Sequence, residues 1–125
     1  MTAAYDVLVL GGGSAGCVLA SRLSEDESRT VCLVEAGPDY GPHSTGEWPP
    51  DLLDARLPAT SHDWSDPAGS LPVARVMGGC SSHNMCTLMH GAPADYDGWE
   101  EATGEDGLDA EAFETHLRRA RERMT

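Results

Sequence analysis

The sequence contains no lysine and no isoleucine. All eight of its basic residues are arginine, which excludes a Walker-type phosphate-binding lysine, a Schiff-base lysine and a pyridoxal anchor. Against them stand 21 Asp and Glu, and a net charge of −13 argues against nucleic acid or an anionic membrane as partner. Long hydrophobic runs are missing too. The longest, Val7 to Leu10, falls far short of the roughly 20 residues a membrane-spanning helix needs, and Met1-Thr2-Ala3-Ala4 lacks the basic start of a secretory signal. A soluble, cytoplasmic protein is expected. Cys17, Cys32, Cys80 and Cys86 contain no C-x-x-C pair and read as reduced thiols.

Aliphatic and phenyl side chains are sparse: twelve Leu, seven Val and one Phe in 125 residues. Such a composition, beside this charge, belongs to chains that bury too little apolar surface to order themselves. The average hides an asymmetry, because ten of these twenty residues lie in positions 1–35. A well-specified element at the front is expected, followed by a long stretch that needs packing partners. The isolated chain is expected to be marginal or unfolded.

Val7-Leu8-Val9-Leu10 is continuously apolar, as a parallel strand covered on both faces would be. Ser14 to Leu23 carries Ala15, Val18, Leu19 and Leu23 at the spacing of one helical face, and Val31 to Val34 repeats the buried-strand pattern. Together they predict one βαβ unit. From Gly37 to Pro72 the chain is rich in Gly, Pro, Asp, His and Ser, with no pattern beyond a possible short turn over residues 52–57. Residues 75–91 read as a second ordered unit that opens on Gly78-Gly79 and continues as a helix. A last helix starts near Asp109 as N-cap, with Ala112, Phe113, Leu117, Ala120 and Met124 as its apolar stripe and arginines in its final turns.

Gly11, Gly13 and Gly16 form G-x-G-x-x-G between the first strand and the helix, the setting in which that motif binds a dinucleotide. Gly11 allows the tight turn, Gly13 the approach of a pyrophosphate, and Gly16 close packing of helix on strand. The amides of Ser14 and Ala15 then lie at the helix N-terminus, which favours an anion. Glu35, 19 residues after Gly16, is placed to accept hydrogen bonds from a ribose and would repel a 2′-phosphate. FAD and NAD both fit these 35 residues, and a glycine turn without ligand is the bland alternative.

The stretches Tyr5 to Cys17 and Leu33-Val34-Glu35-Ala36-Gly37-Pro38-Asp39 resemble the opening of the glucose–methanol–choline (GMC) flavin oxidoreductases. Arg75-Val76-Met77-Gly78-Gly79-Cys80-Ser81-Ser82-His83-Asn84 resembles that family's first signature, and with Ala92 to Glu100 is most similar to its choline-oxidase branch. The resemblance implies FAD and oxidation of an alcohol by hydride transfer. It also implies cofactor contacts from Gly11, Gly13, Ser14, Ala15, Gly16, Glu35, Trp64, Gly79, His83, Asn84, Met85, Cys86 and Thr87. His83 is by the same resemblance the residue for covalent attachment of the flavin. Ala74 and His90 stand where many members have Gly and Arg, and the loop between Trp64 and Arg75 is shorter than usual.

Cys80, His83, Cys86 and His90 are four potential zinc ligands, but four ligands on one helix cannot surround a tetrahedral ion, so no metal is assigned. His43, His62 and His116 read as solvated or loop residues. The resemblance puts the catalytic His, its His or Asn partner and the substrate domain beyond this segment, so no catalytic residue is assigned here. The expectation is an α/β, incomplete Rossmann-like FAD-binding domain: a βαβ unit in 1–36, a loop in 37–74, and the signature with helices in 75–125. It would act on a small-molecule alcohol together with the remainder of the enzyme, in the same or a partner chain. The chain would then be an N-terminal fragment, a truncated product or one piece of a split enzyme. The alternatives are a non-catalytic nucleotide-binding module serving a partner chain and a NAD-binding Rossmann protein.

Overall fold

The computed structural model describes residues 4–56, 59, 61–64, 73–83 and 89–123. The chain divides into two compact units, Met1–Thr87 and Leu88–Thr125.

In the first unit, strand β1 (Val7–Leu10), helix α1 (Ser14–Leu23) and strand β2 (Val31–Val34) form the expected βαβ unit. The strands pair in parallel, Val7 against Val31 through Leu10 against Val34. At the open end of the ladder, the Asp6 carboxylate accepts hydrogen bonds from the Thr30 backbone N–H (2.8 Å) and hydroxyl (2.7 Å). At the other end, the Gly11 N–H donates to the Val34 carbonyl (2.8 Å), which delivers the chain into the glycine turn.

The face that α1 turns to the sheet differs from the expected one. Val18 and Leu19 are exposed, whereas Gly16, Cys17, Ala20 and Leu23 are partly covered. Apolar spacing alone proposes Val18 and Leu19, but close approach decides otherwise. A Cβ on Gly16 would run into the Gly11 carbonyl oxygen and meet Val9 Cγ1 at 3.4 Å, so only the small-residue face fits against β1.

Two stretches of the long loop are tied down by segment 73–78. Asp63 bridges Ala74 antiparallel, flanked by Trp64 N–H to Val73 carbonyl (3.0 Å) and Arg75 N–H to His62 carbonyl (2.6 Å). Met77 N–H donates to the Pro38 carbonyl (2.9 Å), and Val76 is fully buried. Of the helix expected after Gly78, the described residues show a 3-10 turn over Gly79–Ser81, closed at Ser82, and a non-helical stretch over 89–92; residues 84–88 lie outside the described residues. Gly78 and Gly79 both hold positive φ, 89° and 57°, which breaks α-helical continuation at its start.

The second unit is a pair of helices, α2 (Pro93–Thr103) and α3 (Ala110–Arg123). The buried Tyr96 ring stacks on Phe113 (centroids 4.1 Å apart), and Trp99 stands edge-on to both. Helix α3 starts as expected, with Asp109 Oδ1 accepting the Ala112 N–H (2.7 Å). Helix α2 was not anticipated. Its signals are Pro93 at the first turn, Asp95 accepting the Ala92 N–H (2.8 Å), and Gly104 closing it at φ 70°.

Candidate functional site

Gly11 leaves β1 at φ 97°, and Gly13 is the N-cap of α1. No side chain caps this helix and no acidic residue stands in its first turn. Its first backbone N–H groups therefore keep their partial positive charge for an outside anion. Gly11, Gly13, Ser14, Ala15 and Gly16 line a cavity of about 510 Å³, whose far wall is made by Val73, Ala74, Gly79 and Cys80.

That wall brings the second glycine motif onto the first. A Cβ on Gly79 would lie 2.7 Å from Gly13 Cα, and Ser14 Oγ and Ser81 Oγ are 2.5 Å apart. The contact requires glycine at position 79, whereas a Cβ on Gly13 would meet Gly79 Cα at an ordinary 3.9 Å.

Gly12, between the fingerprint glycines, connects the parts. Its N–H donates to Glu35 Oε2 (2.6 Å), and its carbonyl accepts from the Gly78 N–H (2.7 Å) and the Cys17 thiol (3.1 Å). The other Glu35 oxygen accepts the Gly37 N–H (2.8 Å). Both carboxylate oxygens are thus anchored by backbone, and each retains a second lone pair for a further donor. A side chain at Gly12 would meet Met77 Sδ at 2.7 Å and Glu35 Cβ at 3.1 Å.

Of the residues singled out in the sequence, Gly11, Gly13, Ser14, Ala15, Gly16 and Gly79 share this one cavity, and Glu35 joins it through Gly12. Trp64 is not part of the lining, and its side chain is half exposed. His83 is not part of the lining either; its side chain is 7% exposed, with Nε2 3.4 Å from Asp63 Oδ1. Asn84, Met85, Cys86 and Thr87 lie outside the described residues. Among the described residues, no three His, Cys, Asp or Glu gather as a metal centre would require. Sequence reasoning missed Gly12, Met77, Gly78 and Asp63, whose roles arise from pairing between distant segments. The run of three glycines at 11–13 was the one available signal.

A parallel βαβ unit, a glycine turn into an uncapped helix and an acid after the second strand define a dinucleotide-binding fold of the Rossmann type. The GMC oxidoreductase pattern matches residues 5–125, and the chain belongs to that family. Its sequence is 40% identical over 121 residues to choline oxidase of Arthrobacter globiformis, covering 86% of this chain and 21% of that protein. Among solved structures, pyridoxine 4-oxidase from Mesorbium loti superposes with a TM-score of 0.64 at 33% identity, over 85% of this chain and 22% of that one. A FAD-dependent oxidoreductase from Chaetomium thermophilum matches with the same score at 29% identity, over 87% and 20%. The chain therefore spans about a fifth of the length of the relatives it matches. GMC oxidoreductases bind FAD, which decides between the two dinucleotides the fingerprint left open. No helix among the described residues is long and apolar enough to cross a membrane.

Proposed function

We propose that this chain is the adenosine- and pyrophosphate-holding part of an FAD-dependent oxidoreductase that oxidises a small-molecule alcohol. The observation that carries the reading is the meeting of two glycine turns across one cavity, over a helix N-terminus with no cap of its own. The Ser14 and Ala15 amides favour the pyrophosphate charge, and the spare lone pairs of Glu35 accept the ribose hydroxyls. Gly79 lets the second turn approach the Gly13 backbone. Trp64, His83 and the stretch Asn84, Met85, Cys86 and Thr87 take the isoalloxazine side, with His83 as the residue that would attach the flavin. Bound FAD supplies a two-electron acceptor for the hydride of a CH–OH donor. No residue of this chain is assigned as the base that takes the alcohol proton. Choline and pyridoxine, named in two of the relatives, are both alcohols, which supports the substrate class.

Titrating the purified chain with FAD, followed by flavin fluorescence, tests the reading. One FAD per chain is expected, with no response to NAD, and Gly79→Ala should weaken binding at least about tenfold because the new methyl meets the Gly13 backbone. Preference for NAD, or binding of neither, would overturn it. Acid precipitation of the loaded protein tests attachment separately: flavin kept in the pellet is expected, and its full release would remove His83 from that role alone.

A further inference from the structure

His83 and Asp63 come from segments 20 positions apart in the sequence, yet both are held on rigid backbone. Asp63 sits in the bridge to Ala74, fixed on either side by the Trp64 to Val73 and Arg75 to His62 bonds. His83 follows the 3-10 turn that abuts Gly13, and its N–H donates to the Gly79 carbonyl (3.2 Å). The imidazole is 7% exposed and the carboxylate 28%. Nε2 and Oδ1 face each other at 3.4 Å, and neither atom has a hydrogen-bond partner among the described residues.

Polar atoms buried without partners lose their hydration, and among the described residues their mutual approach is what compensates for it. An ionised carboxylate repels a lone pair on the ring nitrogen that faces it and attracts a proton there. In the neutral ring that proton assignment leaves Nδ1 as the lone-pair nitrogen.

We propose that Asp63 is a positioning residue for His83: its carboxylate fixes the imidazole plane and holds the ring proton on Nε2. The inference deepens the flavin-site reading and rests on it for its functional meaning. On the flavin-site reading, the ring would then be presented in one orientation and one tautomer, set by a residue outside both glycine motifs.

Proton NMR of the full chain with 15N-labelled histidine, with and without FAD, tests the pair. A downfield, slowly exchanging Nε2–H resonance is expected, lost in His83→Asn, lost or moved well upfield in Asp63→Asn, and retained in Asp63→Glu. A merely structural aspartate would not move that resonance selectively. Its absence from the wild-type chain, or its persistence unchanged in Asp63→Asn, overturns the proposal. Far-UV circular dichroism and the aromatic proton shifts of Asp63→Asn, compared with those of the wild-type chain, verify folding independently of FAD. A resonance that depends on Asp63 but does not shift when FAD binds supports the pairing and removes His83 from the flavin reading, so the two failures are distinguishable.

Discussion

Glu35 carries two backbone hydrogen bonds on one carboxylate, from Gly12 and Gly37, and this sets what a single-atom change does. Glu35→Gln puts an amide NH2 against one of those N–H donors, so a bond is replaced by a clash of like partners. A loss of about 1–3 kcal/mol in stability is expected, together with a fall in FAD affinity of about 10- to 100-fold. Urea unfolding and FAD titration on the same variant read the two effects. The glycines separate by what lies opposite them. At Gly12 the nearest obstacle is the thioether end of Met77, which can swing aside, leaving Glu35 Cβ at 3.1 Å to shift by a few tenths of an ångström, and at Gly16 it is the Gly11 carbonyl, which cannot move away. Gly16→Ala is therefore expected to destabilise by at least about 2 kcal/mol more than Gly12→Ala in the same unfolding experiment.

Among the elements, the βαβ unit has an acid-sensitive fastening. The Thr30 N–H and hydroxyl hold the Asp6 carboxyl below the usual carboxylate range. With the folded value lowered, the bond contributes fully above the unfolded value and is lost as pH falls through the lowered one, below about pH 4. Hydrogen exchange at the Thr30 amide should lose protection across that range, and Asp6→Asn should abolish the pH dependence. Helix α3 depends on its N-cap: Asp109→Ala frees the Ala112 N–H and should cost about 1 kcal/mol, seen as fraying by circular dichroism.

Element limits and element contacts were not equally legible. β1, α1 and β2 could be read from continuous apolar runs and a glycine turn, because both signals are local. The buried face of α1 could not, since periodicity marks Val18 and Leu19 as apolar without registering that Gly16 must touch the Gly11 carbonyl. Helix α2 was hidden by its composition: Asp95, Asp97, Glu100 and Glu101 equal in number its apolar Ala94, Tyr96, Trp99 and Ala102, and its packing rests on one aromatic cluster. The fingerprint residues of the site were visible from spacing. Asp63 and Gly12 were not, because their partners are contributed by segments far along the chain.

At the scale of the whole molecule, apolar surface is distributed unevenly. Val9, Ala59, Ala74, Val76 and Tyr96 are the buried apolar residues among those described, whereas Leu8, Leu10, Val18, Leu19, Leu53 and Met89 stand exposed. So small a core contributes little against chain entropy, as the sparse Leu and Val content anticipated. The 125-residue chain without FAD is expected to melt broadly and to bind a hydrophobic dye, and saturating FAD should raise and sharpen the transition. A sharp calorimetric peak in the absence of flavin would contradict this.

The Gly12 carbonyl is met by an N–H donated from Gly78. In a chain synthesised from its N-terminus, β2 is finished at Val34 about 45 residues before Gly79 is added. At about 5–20 residues per second that is an interval of several seconds. Until it ends, the first glycine turn has only its inner wall. The order of translation therefore dictates the order of assembly: the strand pair can form first, but the cavity proposed for FAD cannot close until the second glycine turn has left the ribosome.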